Sequence, residues 1–209
     1  MALTKLNARS ASALDATILT GNLPALNASA LTTINATNIS SGTLNSARYT
    51  AGGITHAQLW NMNTAFQGQG NPIANNWSAT WNNDVGDHNS LGSNSVTESS
   101  GIFTFGATGI WKVEFTIGFA NNTGADENIF AEILTTLNNS TYNYSSRAGA
   151  SLSLASENSS ATANALYDIT DTTNQKVQFK GGVVDNTTYI YGHGDYIHTY
   201  AIFIRLGDT

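Results

Sequence analysis

Between Trp111 and Phe119 a large apolar side chain occupies every second position (Trp111, Val113, Phe115, Ile117, Phe119). Period 2 belongs to a strand whose successive side chains point to opposite sides, so these residues line one face, and that face must be buried against a second layer. Just upstream, Phe103 and Phe105 alternate with Ile102, Thr104 and Gly106, which reads as a second strand. Further strand candidates are 129–137, 152–154, 165–169, 177–184, 188–191 and 197–206. Many short strands separated by turn residues predict a mostly β protein whose C-terminal part, residues 77–209, is a jelly-roll sandwich. Its expected core includes Phe103, Phe105, Trp111, Val113, Phe115 and Phe203.

Residues 1–54 obey a different rule. Ile34, Ile39, Leu44, Tyr49 and Ile54 are five residues apart, and Thr32, Thr37, Gly42, Ala47 and Gly52 precede each by two. Period 5 suits neither a continuous helix nor a continuous strand; it suits short extended pieces joined by regular turns. A unit this small cannot bury its one large side chain alone, so further copies must cover it. The expectation is a short-repeat β stem, three chains wound about one axis with Leu31, Ile34, Ile39, Leu44 and Ile54 inward. A disordered linker and a monomeric pentapeptide coil are the alternatives. Residues 55–76 read as a neck, with a short helix over 55–63 carrying Ala57, Trp60 and Met62 on one side, then a Gly- and Pro-containing loop at 67–73 that marks a domain boundary.

Charged residues make up only 11% of the 209, the net charge is −6, and the eight Lys and Arg are scattered. No basic stripe exists to neutralise a phosphate backbone, so nucleic acid is not an expected partner. The opening residues hold no apolar run of secretory length, and Tyr200 to Ile204 is too short to cross a bilayer; neither a leader nor membrane insertion is expected. Cysteine is absent, which removes disulfides and thiolate metal sites.

The run from Gly101 to Phe115 (GIFTFGATGIWKVEF) resembles the C1q/TNF-type signature, and Tyr200 to Asp208 (YAIFIRLGD) resembles that family's last strand, which runs through the middle of a sheet. The phrases at 97–105 (TESSGIFTF), 203–209 (FIRLGDT) and 38–48 (NISSGTLNSAR) are similar to fibre proteins of phages that infect marine bacteria. Together these resemblances imply a homotrimeric jelly-roll head on a virion fibre with a structural or adhesive role. The collagen-like stalk of C1q proteins and the large tail-adaptor domain of long tail fibres have no counterpart here.

Chemistry leaves little trace in the chain. His193, Asp195 and His198, with Asp185, invite a metal reading, but a spacing of five puts the two histidines on opposite sides of an extended segment, and no metal or other cofactor is expected. No Gly-x-Ser-x-Gly elbow, Walker or Rossmann glycine pattern occurs, and acid pairs such as Asp126 with Glu127 or Glu132 with Asp168 are arbitrary choices for glycoside cleavage. The chain is therefore expected not to be an enzyme. Trp77, Trp81, Tyr142 and Tyr144 are the candidate receptor contacts, since exposed rings can stack on sugars; burial in the head core is the competing role for the tryptophans.

The resulting expectation is a structural phage surface fibre, assembled in the host cytoplasm and displayed on the virion. It would associate with itself, with other virion proteins through its N-terminus, and with a host-surface glycan through its head. A capsid head fibre or decoration protein is the alternative, followed by a polysaccharide depolymerase or a free lectin.

Overall fold

The computed structural model describes residues 54–79, 91–92, 96–121, 123–183 and 185–209, and the fold is built around the alternating segment at 109–121. Strand β6 (Gly109–Asn121) buries Trp111, Val113, Phe115, Ile117 and Phe119 completely. The other strands, in chain order, are β1 (His56–Met62), β2 (Phe66–Gln67), β3 (Trp77–Ser78), β4 (Val96–Ser99), β5 (Ile102–Phe105), β7 (Asp126–Thr136), β8 (Asn143–Leu152), β9 (Glu157–Ile169), β10 (Lys176–Gly182), β11 (Tyr189–Ile190) and β12 (Tyr200–Gly207). No helix occurs among the described residues.

Every pairing between these strands is antiparallel, and they form two sheets. In the first, β6 lies between β9 and β12, and β1 follows β12 and is edged by β3. The short β11 continues the β12 side of β6 and carries β2. The second sheet runs β4-β5-β10-β7-β8. Two sheets whose strands exchange between layers in this order make a jelly-roll sandwich. The C-terminal strand β12 lies between β6 and β1, in mid-sheet as the family resemblance implied.

The interior is aromatic. Phe103 and Phe179 of the second sheet face Phe115 and Phe203 of the first, with Phe103 touching Trp60, Trp77, Phe179 and Phe203 at ring separations of 4.9 to 5.6 Å. Phe115 stacks on Phe179 at 4.6 Å, and Phe105 lies 5.1 Å from Trp111. Offset and edge contacts of this kind are favoured by the ring quadrupole and add to the burial of large apolar area. All the residues expected in the head core lie here: Phe103, Phe105, Trp111, Val113, Phe115 and Phe203 are at most 2% exposed.

The segment expected as a neck differs. Residues 56–62 form a strand, not a helical turn, because β12 is a central strand and needs a backbone partner on its second side. Trp60 is directly opposite Ala201 and faces the core with it, whereas Ala57 is opposite Ile204 on the other face. The loop at 67–73 is no linker either. Gly70 exchanges backbone hydrogen bonds with Gly181, and Ile73, 2% exposed, donates its amide to Phe179 O at 2.8 Å. Residues 55–76 are thus part of the sandwich. The stem positions Leu31, Ile34, Ile39 and Leu44 lie outside the described residues, and Ile54 is 51% exposed.

Along one side the two sheets meet through their edge strands. Ser146 Oγ of β8 donates to Asn164 O of β9 at 2.9 Å, and the Tyr167 hydroxyl donates to Ser145 Oγ at the same distance. These contacts cover edges that would otherwise offer unpaired backbone groups.

Candidate functional site

An antiparallel sheet with one face on a core usually turns polar residues outward. The first sheet does so only in part, because apolar side chains stand among its outward polar ones. Directly opposed residues share a face, so the register places Leu59 beside Ile202, Glu114 and Asn164 in one row, and Ala57 beside Ile204, Lys112 and Leu166 in the next. Ile110 stands in the row below, opposite Asp168. This outward face therefore carries Leu59, Ile110, Leu166, Ile202 and Ile204, with Leu166 64% exposed. Lys112 and Glu114 form an ion pair of 3.1 Å in its middle, with the lysine side chain 44% exposed and the glutamate 24%. Apolar side chains grouped on an outward face mark a candidate interaction surface, and the ion pair between them would add a geometric requirement on a partner.

The outward face of the second sheet holds a different cluster. Glu132, 1% exposed, lies in one row with Arg147 of β8 and Lys180 of β10. Its Oε1 accepts from Arg147 Nε at 2.8 Å. Oε2 stands 2.9 Å from Lys180 Nζ, a contact held by charge more than by alignment. Lys180 also donates to the Tyr144 hydroxyl at 2.7 Å, and the Arg147 guanidinium lies over the Phe130 ring at 3.6 Å. Burial works against the Lys180 ammonium, but its hydrogen bonds to Tyr144 and Glu132 and the Glu132 charge outweigh it and raise its pKa. The Glu132 carboxylate is thus engaged by two cations, in a contact that crosses three neighbouring strands.

Three of the four candidate receptor contacts lie among the described residues. Trp77 is 9% exposed, packed between Phe103, Phe115 and Phe179 with its indole donating to Ile73 O at 2.8 Å, so it shows no ring face to a ligand. This corrects its assignment as a receptor contact: so large an apolar ring gains more in the core than at the surface. Trp81 lies outside the described residues. Tyr142 is half-buried, its hydroxyl enclosed and its pKa raised by desolvation. Tyr144 is 61% exposed, but its hydroxyl is engaged by Lys180.

His193, Asp195 and His198 do not converge. His193 Nδ1 accepts the Asp195 amide at 2.9 Å in a local turn, and His198 packs against Tyr191 instead. No group of three His, Cys, Asp or Glu side chains able to hold a metal occurs among the described residues.

Topology and aromatic core together define the class: a jelly-roll sandwich of the TNF-like type, shown as a fold. Among solved structures the chain is similar to the Eiger TNF of S. frugiperda, with a TM-score of 0.52 and 13% identity over 73% of this chain and 93% of that one. Structures of murine APRIL, at pH 5.0 and at pH 8.5, match at TM-scores of 0.48 and 0.47 and 10% identity, each covering 72% of this chain and 98% of the other. No protein-family model and no curated protein sequence matches the chain.

Proposed function

We propose that this chain is a non-enzymatic structural protein of a bacteriophage surface, a homotrimer whose jelly-roll heads meet through the outward face of the first sheet and attach the particle to host glycans. The observation that carries the reading is that face: Leu166 is 64% exposed, and Leu59, Ile110, Ile202 and Ile204 on the same face are only partly buried within the chain. Closed rotational symmetry lets each copy cover another's apolar surface without leaving an open end, and three copies match both the resemblance to C1q/TNF-type heads and the winding expected of the repeat at 1–54. The low charge of the chain and its phrase-level similarity to marine phage fibres support display on a virion made in the host cytoplasm. Adhesion suits such a head because three weak sites on one body raise avidity without a strong single site.

The test is a double variant, Ile202→Lys with Leu166→Asp. Ile202 is directly opposite Glu114, and Leu166 is directly opposite Lys112, so each new charge gains a partner within one protomer and the head should fold. In an assembly the same charges would be buried at an apolar contact, at a cost of several kcal/mol. Light scattering at micromolar concentration should give trimers for the native chain and monomers for the variant. Excess native trimer should slow phage adsorption without releasing reducing ends from host polysaccharide. A native monomer refutes the assembly, and steady sugar release refutes the non-enzymatic reading. Docking on undecorated capsids without effect on adsorption would move the protein to a capsid decoration role.

A further inference from the structure

Toward the start of β12 the outward face of the first sheet changes character. The rows there read Tyr200, Thr116 and Thr162, then Gly118 and Ser160, then Ala120 and Asn158. The chain between β11 and β12 lies across these rows and leaves a groove of about 430 Å³, walled by Tyr191, His198 and Tyr200 on one side and by Asn158 and Ser160 on the other.

The groove is held open by backbone contacts. Tyr191 donates its amide to Gly118 O at 2.9 Å, and Gly118 donates its own to Thr199 Oγ1 at 3.1 Å. Gly118 forms the floor, since a Cβ there would lie 3.4 to 3.6 Å from His198 and Tyr191 and fill the space between them. The Tyr191 and His198 rings sit 5.1 Å apart, tilted by 31°. The Tyr191 hydroxyl donates to Asn158 Oδ1 at 3.2 Å, which fixes the ring and leaves the Asn158 amide nitrogen as a donor. Little has to be ordered when a ligand arrives, which lowers the entropic cost of binding.

The lining contains no carboxylate, ammonium or guanidinium group. A nucleotide or an acidic peptide would bring charges that find no counter-ion here. Aromatic rings beside amide and hydroxyl groups fit a ligand with apolar C–H faces and a hydroxyl rim, and the volume falls within the roughly 300–1,000 Å³ of small-molecule sites. We infer that this groove binds a short stretch of neutral oligosaccharide, with a sugar ring against Tyr191 and His198 and its hydroxyls on Asn158, Ser160 and Thr116. The inference rests on the adhesive reading above and gives it a location and a ligand class. The site lies on the same face as the apolar rows and begins at the Tyr200 row, so it borders the residues assigned to self-association but shares none of them.

The experiment uses the full chain on an array of neutral and acidic oligosaccharides, followed by calorimetric titration with the neutral compound that binds best. Tyr191→Ala and His198→Ala should each weaken that binding roughly ten-fold or more, the loss of an aromatic stacking partner. Tyr191→Phe should keep most of it, and Leu154→Ala, at a 66% exposed side chain outside the groove, should change nothing. Light scattering and thermal melting of each variant should match the native chain. Binding only to acidic sugars, equal binding by the variants, or no binding at all overturns the inference. A chain that still competes for phage adsorption when Tyr191 and His198 are both alanine would sink the groove and leave the adhesive reading standing. A native trimer that never competes would sink that reading whatever the array shows.

Discussion

Glu132→Gln removes the one negative charge that holds Lys180 and Arg147 on the second sheet. The two cations do not lose equally. Arg147 has a side chain 55% exposed, so water replaces the carboxylate there and the loss is about 0–1 kcal/mol. The Lys180 side chain is 10% exposed and would keep only neutral acceptors, the Tyr144 hydroxyl and the amide oxygen of the substituted side chain. Breaking a buried pair costs about 3–5 kcal/mol, and the surviving hydrogen bond puts this case at the lower end, about 3 kcal/mol. For a domain of this size that lowers Tm by roughly 6–12 °C. Replacing both partners together, Glu132→Leu with Lys180→Met, should recover much of the loss, because no uncompensated charge remains. The raised Lys180 pKa sets the pH signature: its contribution is complete below the unfolded value, about 10.4, and disappears as pH rises through the higher folded value. Thermal melts of the native chain, the single variant and the double variant at neutral pH decide the matter. A single-variant shift under about 2 °C, or a double variant worse than the single, refutes the coupling argument.

Phe103→Ala opens a hole among Trp60, Trp77, Phe179 and Phe203 and should cost about 3–5 kcal/mol, read as a lower urea midpoint at unchanged slope. Asp171 is held below the ordinary carboxylate range by the Asn174 side chain and the Thr173 and Asn174 amides, and Asp185 by the Thr187 amide and hydroxyl. Both contributions are present above about pH 4 and vanish as pH falls through the lower folded values, so Tm should decline from about pH 4 downward, and Asp171→Asn should flatten part of that slope. A native chain whose Tm is flat between pH 2 and 5 would contradict this assignment.

The strands most legible in the sequence were those that alternate large apolar side chains: β5, β6, β7, β10 and β12 were all found close to their observed bounds. Most of β8 and the first half of β9 were missed. Their inward positions are small, as with Ala161 and Ala163, and their outward ones are Ser, Asn and Thr, so the period-2 signal is nearly silent. The β1 segment was read as a helix through Ala57, Trp60 and Met62, although Gln58, Trp60 and Met62 keep strand spacing. The interaction face was harder still. Leu59, Leu166 and Ile202 become neighbours only through the pairing of β1, β12, β6 and β9, and no local window contains that register. The Arg147, Glu132 and Lys180 row has the same origin, as does the meeting of Asn158 with Tyr191.

The adjacency of β1 and β12 has a mechanical consequence. His56 is opposite Arg205, and Asn61 is opposite Tyr200, so both ends of the described chain leave the sandwich at one pole while the groove at Tyr191 and His198 opens toward the other. A force applied between a ligand in that groove and a tether before residue 54 would run along β1. It would load the hydrogen bonds between β1 and β12 in shear, all of them together, whereas pulling on the two chain ends would peel the same ladder open one rung at a time from the His56–Arg205 end.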